Sequence, residues 1–522
     1  VRIRPADAVY HNGRFYTFGR RNAIAAAVAV EDGRIVAVGD DSEARRNAPR
    51  GSDRYDLEGN AVVPGFIDCH THFVQMGVDS LDVDLSAAKS REEALALMSK
   101  AARRTAEGEW IVGTGWKESA WSDARFISRE DLDLSCPKHP AVAHRVCGHL
   151  SSVNSKALEL LGIDDDSPGV ERNSSRRPTG ILKEEAVALV RQMTCPDPAK
   201  RSRGLEAALM SARSLGVTSI QDNGEPDDLR LYRRFEGSGK LSVRVWFNSP
   251  SKDLDSLLHA SVPTGTGSDL LKVGGLKVFC DGALGARTAA LSKPYADDPH
   301  NTGMFVHARA HFEDIVARAN DAEIQLAIHA IGDEGIEAAI RALESALGRA
   351  RRRDHRHRIE HLELPSRGHL GRMRRLGIIA SMQPNFIGEW GGCDGMYLAR
   401  LGPRRTSRNN PFREVLDSKV RLVFGSDCMP FSPLYGIRSA VDAHYASQRL
   451  TPLEAFVAYT RTAAYASFEE KLKGRIEEGM HADFAVLSSD PFVRPKDLSS
   501  THVIRTVFGG ATVYEKPRTS HG

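Results

Sequence analysis

Cysteine is scarce and never paired in pattern: the 522 residues hold seven, scattered, with no Cys-x-x-Cys spacing. An odd, dispersed set argues against a disulfide framework and against a structural zinc knot, and it fits a reducing compartment. Long uncharged apolar runs are also missing, and the first residues carry no apolar h-region. Neither a membrane-spanning helix nor a secretory signal is therefore expected, and a soluble cytoplasmic protein is. Charge of one sign is lacking too. The 71 basic and 68 acidic residues leave a net charge of +3, which provides no electrostatic basis for a nucleic-acid or membrane partner. The local basic run Arg351-Arg352-Arg353 falls between a helical pattern and a strand pattern and reads as a solvated loop.

What is present is length and rhythm. A chain of 522 residues exceeds one typical domain, so a large domain with a smaller companion is expected. The first sixty or so residues read as short strands. Ala8–Tyr16 has the form of a hairpin turning at Asn12-Gly13, and Ile24–Val30 pairs in pattern with Arg34–Gly39 across Asp32-Gly33. The C-terminal segment has the same texture, with apolar runs at Ala482–Leu487, Val503–Phe508 and Ala511–Tyr514. Because chain ends often lie close together, residues 1–61 and 473–522 are expected to form one small β-sandwich.

Between them, residues 62–472 alternate strand and helix after a large irregular insertion at about 74–200. The insertion carries a helical stretch at Arg91–Thr105, tryptophans at 110, 116 and 121, and an apolar run at Pro140–Val146. It is expected to close over the mouth of the following domain. Strand patterns then recur at Val217–Gln221, Ser242–Phe247, Leu276–Cys280, Gln325–His329, Arg358–His361, Ile378–Met382 and Arg421–Gly425. With an opening strand at Phe66–His72 they make eight, most separated by helical segments. Eight βα units predict an α/β fold of the (β/α)8 TIM-like barrel type, provided that the 140–146 run belongs to the insertion.

The opening strand carries the first chemistry, in Val63-Pro-Gly-Phe-Ile-Asp-Cys-His-Thr-His-Phe73. Strand alternation places Ile67 and Cys69 on one face and Asp68, His70 and His72 on the other. Two imidazoles on one face are half of a metal site. Barrel enzymes place function at the C-terminal ends of their strands. Those ends supply Lys277 from the fourth strand, His329 from the fifth, His361 from the sixth and Asp427 from the eighth. Taken singly each has an ordinary explanation: a satisfied core histidine, an exposed lysine or a helix-capping aspartate. Their joint occurrence at successive strand ends is what points to a site. Asp333 reads as a helix N-cap, and alternation turns Cys69 and Cys280 away from the ligands.

These motifs resemble those of the amidohydrolase superfamily, family 3, in the branch that includes N-substituted formamide deformylase and uncharacterised metal-dependent hydrolases. The resemblance runs from Asp32–Gly39 through Pro64–His72, Gly148-His149, Asn154–Leu158, Gly180–Glu184 and Asp281–Thr288 to Gly479–Phe484. It implies that His70, His72, His329 and His361 bind divalent metal, with zinc expected. Lys277 would be carbamylated and bridge two metals; a single metal with unmodified Lys277 is the alternative, and two zinc ions are favoured. Asp427 would be both a ligand and the general base for water activated by metal. The implied reaction is hydrolysis of a carbon–nitrogen amide-type bond in a small molecule, other than a peptide bond. An esterase or carbamate hydrolase would use the same site. Ring deamination is disfavoured, because Ala-Ile-Gly-Asp follows His329 and Lys277 is present. A non-catalytic binding protein is disfavoured by the complete ligand set. Trp116, His149, Arg287 and Gln383 are the candidate substrate contacts, with a core position for Trp116 and a salt bridge for Arg287 as competing explanations. The family further implies a homodimer.

Overall fold

The computed structural model describes residues 6–19, 23–118, 121–145, 150–163, 167–183 and 185–517. The chain divides into two units: Val1–Phe73 with Leu209–Gly522, and Val74–Ala208. No helix among the described residues is long and apolar enough to cross a membrane.

The larger unit holds the barrel sheet. Its strands, in chain order, are β1 (Phe66–Thr71), β2 (Val217–Asn223), β3 (Arg244–Pro250), β4 (Leu271–Phe279), β5 (Gln325–Ala330), β6 (Arg358–His361), β7 (Ile379–Met382) and β8 (Leu422–Phe424). Each pairs in parallel with the next, from β1 through β8. The ends of the ladder meet where the Asp427 N–H donates to the His70 carbonyl at 2.8 Å. Gly425 makes that approach possible, since a Cβ there would lie 2.4 Å from the His70 nitrogen. Helices at Pro226–Gly237, Arg309–Asp321, Asp333–Arg349 and Arg367–Leu376 follow β2, β4, β5 and β6. The last is capped by the Ser366 hydroxyl and stopped by Gly377 at φ 76°. Asp333 does not cap its helix as expected. Gly332 holds that position, and Asp333 accepts from the Ser292 N–H at 2.9 Å.

Both chain ends supply strands to the same sheet. A six-stranded sheet runs in the order 511–515, 503–508, 484–487, 61–64, 14–16, 24–25. A four-stranded sheet runs 34–39, 27–31, 8–11, 53–56. They share a core of Tyr10, Phe15, Val28, Val62, Phe484 and Val507. The expected hairpin across Asn12-Gly13 does not form, because Ala8–His11 and Arg14–Tyr16 belong to different sheets. Asn12, at φ 52°, turns the chain out of one sheet and into the other. Ile24–Val30 breaks for the same reason, with Ile24–Ala25 in one sheet and Ala27–Glu31 in the other. The turn at Asp32-Gly33 does join antiparallel partners, with both residues at positive φ.

The second unit, Val74–Ala208, is built on a six-stranded sheet in the order 170–172, 178–183, 150–153, 141–145, 111–116, 83–84. The 140–146 run is therefore an interior strand of this sheet, Ala141–Arg145, and not a barrel strand.

Candidate metal centre

The geometry starts from β1. Ile67 and Cys69 pack outward against Ala463, Ala464 and Ala466. Alternation therefore turns Asp68 and His70 into the barrel interior, where both are fully buried. His72 follows the strand, and Asp222 at the end of β2 secures the turn around it. Asp222 accepts from the Thr71 hydroxyl at 2.9 Å and the Phe73 N–H at 2.7 Å on one oxygen, and from the Tyr232 hydroxyl at 2.8 Å on the other.

The other strand ends converge on this pair. The His70 ring centre lies 5.8 Å from that of His72 and 4.8 Å from that of His361; His361 and His329 are 4.4 Å apart. Lys277 Nζ sits 3.2 Å from His70 Nε2. Asp427 Oδ1 is 3.6 Å from His70 Nε2 and 3.4 Å from His72 Nε2. Among the described residues, His70, His72 and Asp427 form a group whose donor atoms all lie within 4.8 Å of one another. His361 at φ 69° and Asp427 at φ 51° occupy left-handed backbone that costs non-glycine residues roughly 1 kcal/mol or more. The twist matters at β6. Alternation there points Arg358 and Glu360 inward, and the positive φ brings the adjacent His361 into the site as well.

Each histidine has one ring nitrogen committed to a protein acceptor. His70 Nδ1 contacts Glu360 Oε2 at 2.5 Å, and His72 Nδ1 contacts the Asn223 carbonyl at 2.9 Å. His329 Nε2 contacts the Gly282 carbonyl at 3.0 Å, and His361 Nδ1 contacts Gln383 Oε1 at 2.8 Å. Only a ring N–H can serve an oxygen acceptor, so these partners assign the tautomers. Nε2 of His70, His72 and His361, and Nδ1 of His329, are left with lone pairs. Burial holds His70 and His361 well below the usual histidine range and takes His329 down to about 3, so the rings stay neutral. Four neutral imidazoles, each oriented through its second nitrogen and joined by a carboxylate, are a donor set suited to a divalent metal.

The two remaining groups are tuned by burial. Lys277 is pulled down to about 8, against the upward pull of Glu360 and Asp427. Burial pushes Asp427 up to about 7, with Lys277 opposing and Asp68 reinforcing the shift. Asp68 accepts from the Ser426 and His70 N–H groups on Oδ1, while its buried Oδ2 has no hydrogen-bond partner.

The candidate substrate contacts fare differently. Trp116 is a core residue of the Val74–Ala208 unit, with no exposed surface. Its indole N–H donates to the Ala143 carbonyl at 2.9 Å and its ring stacks on Trp121, which leaves no face for a substrate. Gln383 is likewise fully buried and serves His361 instead of a ligand. Arg287 is paired with Asp297 at 3.0 Å, the salt bridge that was its competing explanation. His149 lies outside the described residues. Sequence reasoning missed Glu360, although Arg358-Ile-Glu-His361 contained the signal: two charges on the inner face of a barrel strand. It also missed Phe279, at the end of β4. This ring is 40% exposed and centred 5.0 Å from both the His329 ring and Lys277 Nζ.

The chain is 30% identical to Protein LONG AFTER FAR-RED 3 of Arabidopsis thaliana, over 98% of this chain and 92% of that one. It is 29% identical to N-substituted formamide deformylase of Arthrobacter pascens, over 98% of each. An uncharacterised metal-dependent hydrolase from Pyrococcus furiosus superposes with a TM-score of 0.80 at 29% identity, covering 93% of this chain and all of that one. The amidohydrolase family profile matches residues 53–514. With that match spanning all eight barrel strands, the chain belongs to the amidohydrolase family.

Proposed function

We propose that this protein is a metal-dependent hydrolase that cleaves a carbon–nitrogen amide-type bond of a small molecule, with Asp427 as general base. The observation that carries the reading is the set of four clustered imidazoles, each with one nitrogen tied to a protein acceptor, in which the free nitrogens of His70 and His72 lie beside Asp427, and that of His70 also beside Lys277. His70, His72, His329, His361 and Asp427 would hold the metal, zinc by donor type. A metal there supplies an acidified water and polarises the scissile carbonyl.

The chain's own residues do the rest. Asp427 is held at the centre by its backbone N–H on the His70 carbonyl, at 2.8 Å. Its raised pKa suits a carboxylate that takes a proton from the attacking water and returns it to the leaving nitrogen. Lys277 is buried and easily neutralised, and a neutral amine is the form that adds carbon dioxide. The new carbamate would give up one proton and carry a negative charge, so that Lys277 could join the histidines and Asp427 in holding a second metal, which favours the binuclear form. Phe279 offers an apolar face to whatever substituent the substrate carries. The name of the formamide deformylase relative supports amide-type bonds over rings.

The test joins metal analysis of the purified protein to a hydrolysis screen of N-formyl, N-acyl, carbamate and ester substrates. A divalent metal should co-purify, chelation should abolish turnover, and metal should restore it. Asp427→Asn should lower turnover by about 10²–10⁴-fold while leaving circular dichroism unchanged. Absence of metal together with no hydrolysis after metal addition would overturn the enzyme reading. Near-normal turnover of the variant would remove Asp427 as the base.

A further inference from the structure

The interior of a barrel of this kind is ordinarily packed with branched apolar side chains. Here a line of polar groups runs through it. Gln221 on β2 donates from Nε2 to the Ala463 carbonyl at 2.9 Å and accepts from Arg358 Nη1 on β6. Arg358 Nε lies 2.5 Å from Glu360 Oε1, and Glu360 Oε2 lies 2.5 Å from His70 Nδ1. Arg358 and Glu360 have no exposed side-chain surface. Their mutual contact is close but not aligned as a hydrogen bond, since neither Arg358 Nε nor Glu360 Oε1 has a hydrogen-bond partner. The contact is therefore a charge pairing.

A fully buried ion pair is a poor source of stability. Desolvating two charges costs several kcal/mol per ion, and well-packed apolar replacements are often as stable. Packing does not account for the pair, whereas its position does. One carboxylate oxygen meets the guanidinium and the other meets the ring nitrogen of His70 that faces away from the metal centre. A carboxylate on the far nitrogen of a ligand histidine sets its tautomer and raises its basicity toward metal.

We propose that Glu360 is the positioning residue for His70, and that Arg358, itself held by Gln221, fixes the Glu360 carboxylate in place. This inference rests on the metal-binding reading above. Glu360 touches neither substrate nor metal and acts through His70. In the wild type its carboxylate compensates part of the metal's charge, and the Arg358 guanidinium supplies the countercharge that makes the carboxylate tolerable in the barrel interior.

The test uses the full chain titrated with cobalt(II), read by its d–d absorption. Glu360→Gln keeps an oxygen for the His70 N–H but removes the charge. It should weaken cobalt binding by about 10–100-fold and move the absorption bands. Because this variant leaves Arg358 unpaired and can fail to fold, the neutral double variant Glu360→Gln/Arg358→Met is measured in parallel and should show the same loss. Wild-type affinity and unchanged bands in a folded single or double variant would overturn the proposal, even if thermal stability falls. If neither variant folds, proton NMR of the wild-type chain decides. A far-downfield ring N–H resonance belonging to His70 supports the strong contact with Glu360, and its absence refutes it. Failure of the wild type to bind cobalt would strike the metal reading itself, a result distinct from equal binding by wild type and variants.

Discussion

Replacing Gln383 by leucine removes the whole carboxamide, both the accepting oxygen and an amide nitrogen that has no hydrogen-bond partner, and tests the tautomer assignment. In the folded chain Gln383 Oε1 accepts the His361 Nδ1 proton at 2.8 Å, and both residues are buried. Leucine has nearly the same bulk, so little cavity forms, and the effect is that of an orphaned N–H. Left unsatisfied, that proton costs about 1–3 kcal/mol. His361 has an escape in the metal-free protein: its proton can shift to Nε2. The stability loss without metal should therefore fall at the low end of that range. The escape occupies the nitrogen that would meet the metal, so metal binding bears the remainder. Loss of such a partner weakens binding by about 10–100-fold, or roughly 1.4–2.7 kcal/mol. Gln383→Glu keeps the acceptor and adds a charge, so the affinity should be kept or raised. Isothermal titration of chelated, metal-free protein with zinc, beside melting curves of the same samples, separates the two effects. Wild-type zinc affinity in Gln383→Leu would refute the reasoning, because His361 would then bind metal without its orienting partner.

Two further outcomes are expected. Lys277→Ala should lower metal occupancy, with partial recovery when a small carboxylate is added; occupancy unchanged by elemental analysis would favour one metal held by the histidines alone. The second concerns acid stability. Glu469 is buried, and burial alone would raise its carboxyl, but Lys473 at 2.6 Å and Lys272 at 2.9 Å outweigh it and hold it at about 2. Relative to an unfolded value of about 4.5, a depressed folded pKa stabilises fully above that value, and the stabilisation is lost as pH falls toward 2. The shift alone corresponds to about 3 kcal/mol. Burial pulls Lys473 down in the same pair, so the net is smaller. The gap in melting temperature between wild type and Glu469→Gln should be constant above about pH 5 and narrow below about pH 4.5. A gap independent of pH down to about pH 3 would contradict the assigned pairing.

Much of this architecture was legible in the chain because it is local. The strand patterns at Val217–Gln221, Gln325–His329 and Arg358–His361 mark barrel strands that the structure contains. Alternation on β1 correctly separates Cys69 from His70, since a strand has only two faces. The residue types at the strand ends suggested metal chemistry because neutral imidazoles and carboxylates are ligands wherever they converge.

What the sequence could not determine lies in partners far apart along the chain and in backbone twists. Asn12-Gly13 has the residues of a hairpin, yet it serves as a corner between sheets, because strand pairing is decided by which edges the rest of the fold leaves open. Period two would turn His361 away from its neighbour Glu360. The φ of 69° that lets both serve the centre is imposed by the packed barrel. Gln383 and Trp116 were both candidate substrate contacts, but only the tertiary structure shows the Gln383 oxygen engaged by His361 and the Trp116 indole N–H by the Ala143 carbonyl. Sequence alone supplied the candidate ligands, as residue types at strand ends. The nitrogen each histidine presents depends on groups up to 290 positions away, as with Glu360 and His70, and no local pattern carries that information.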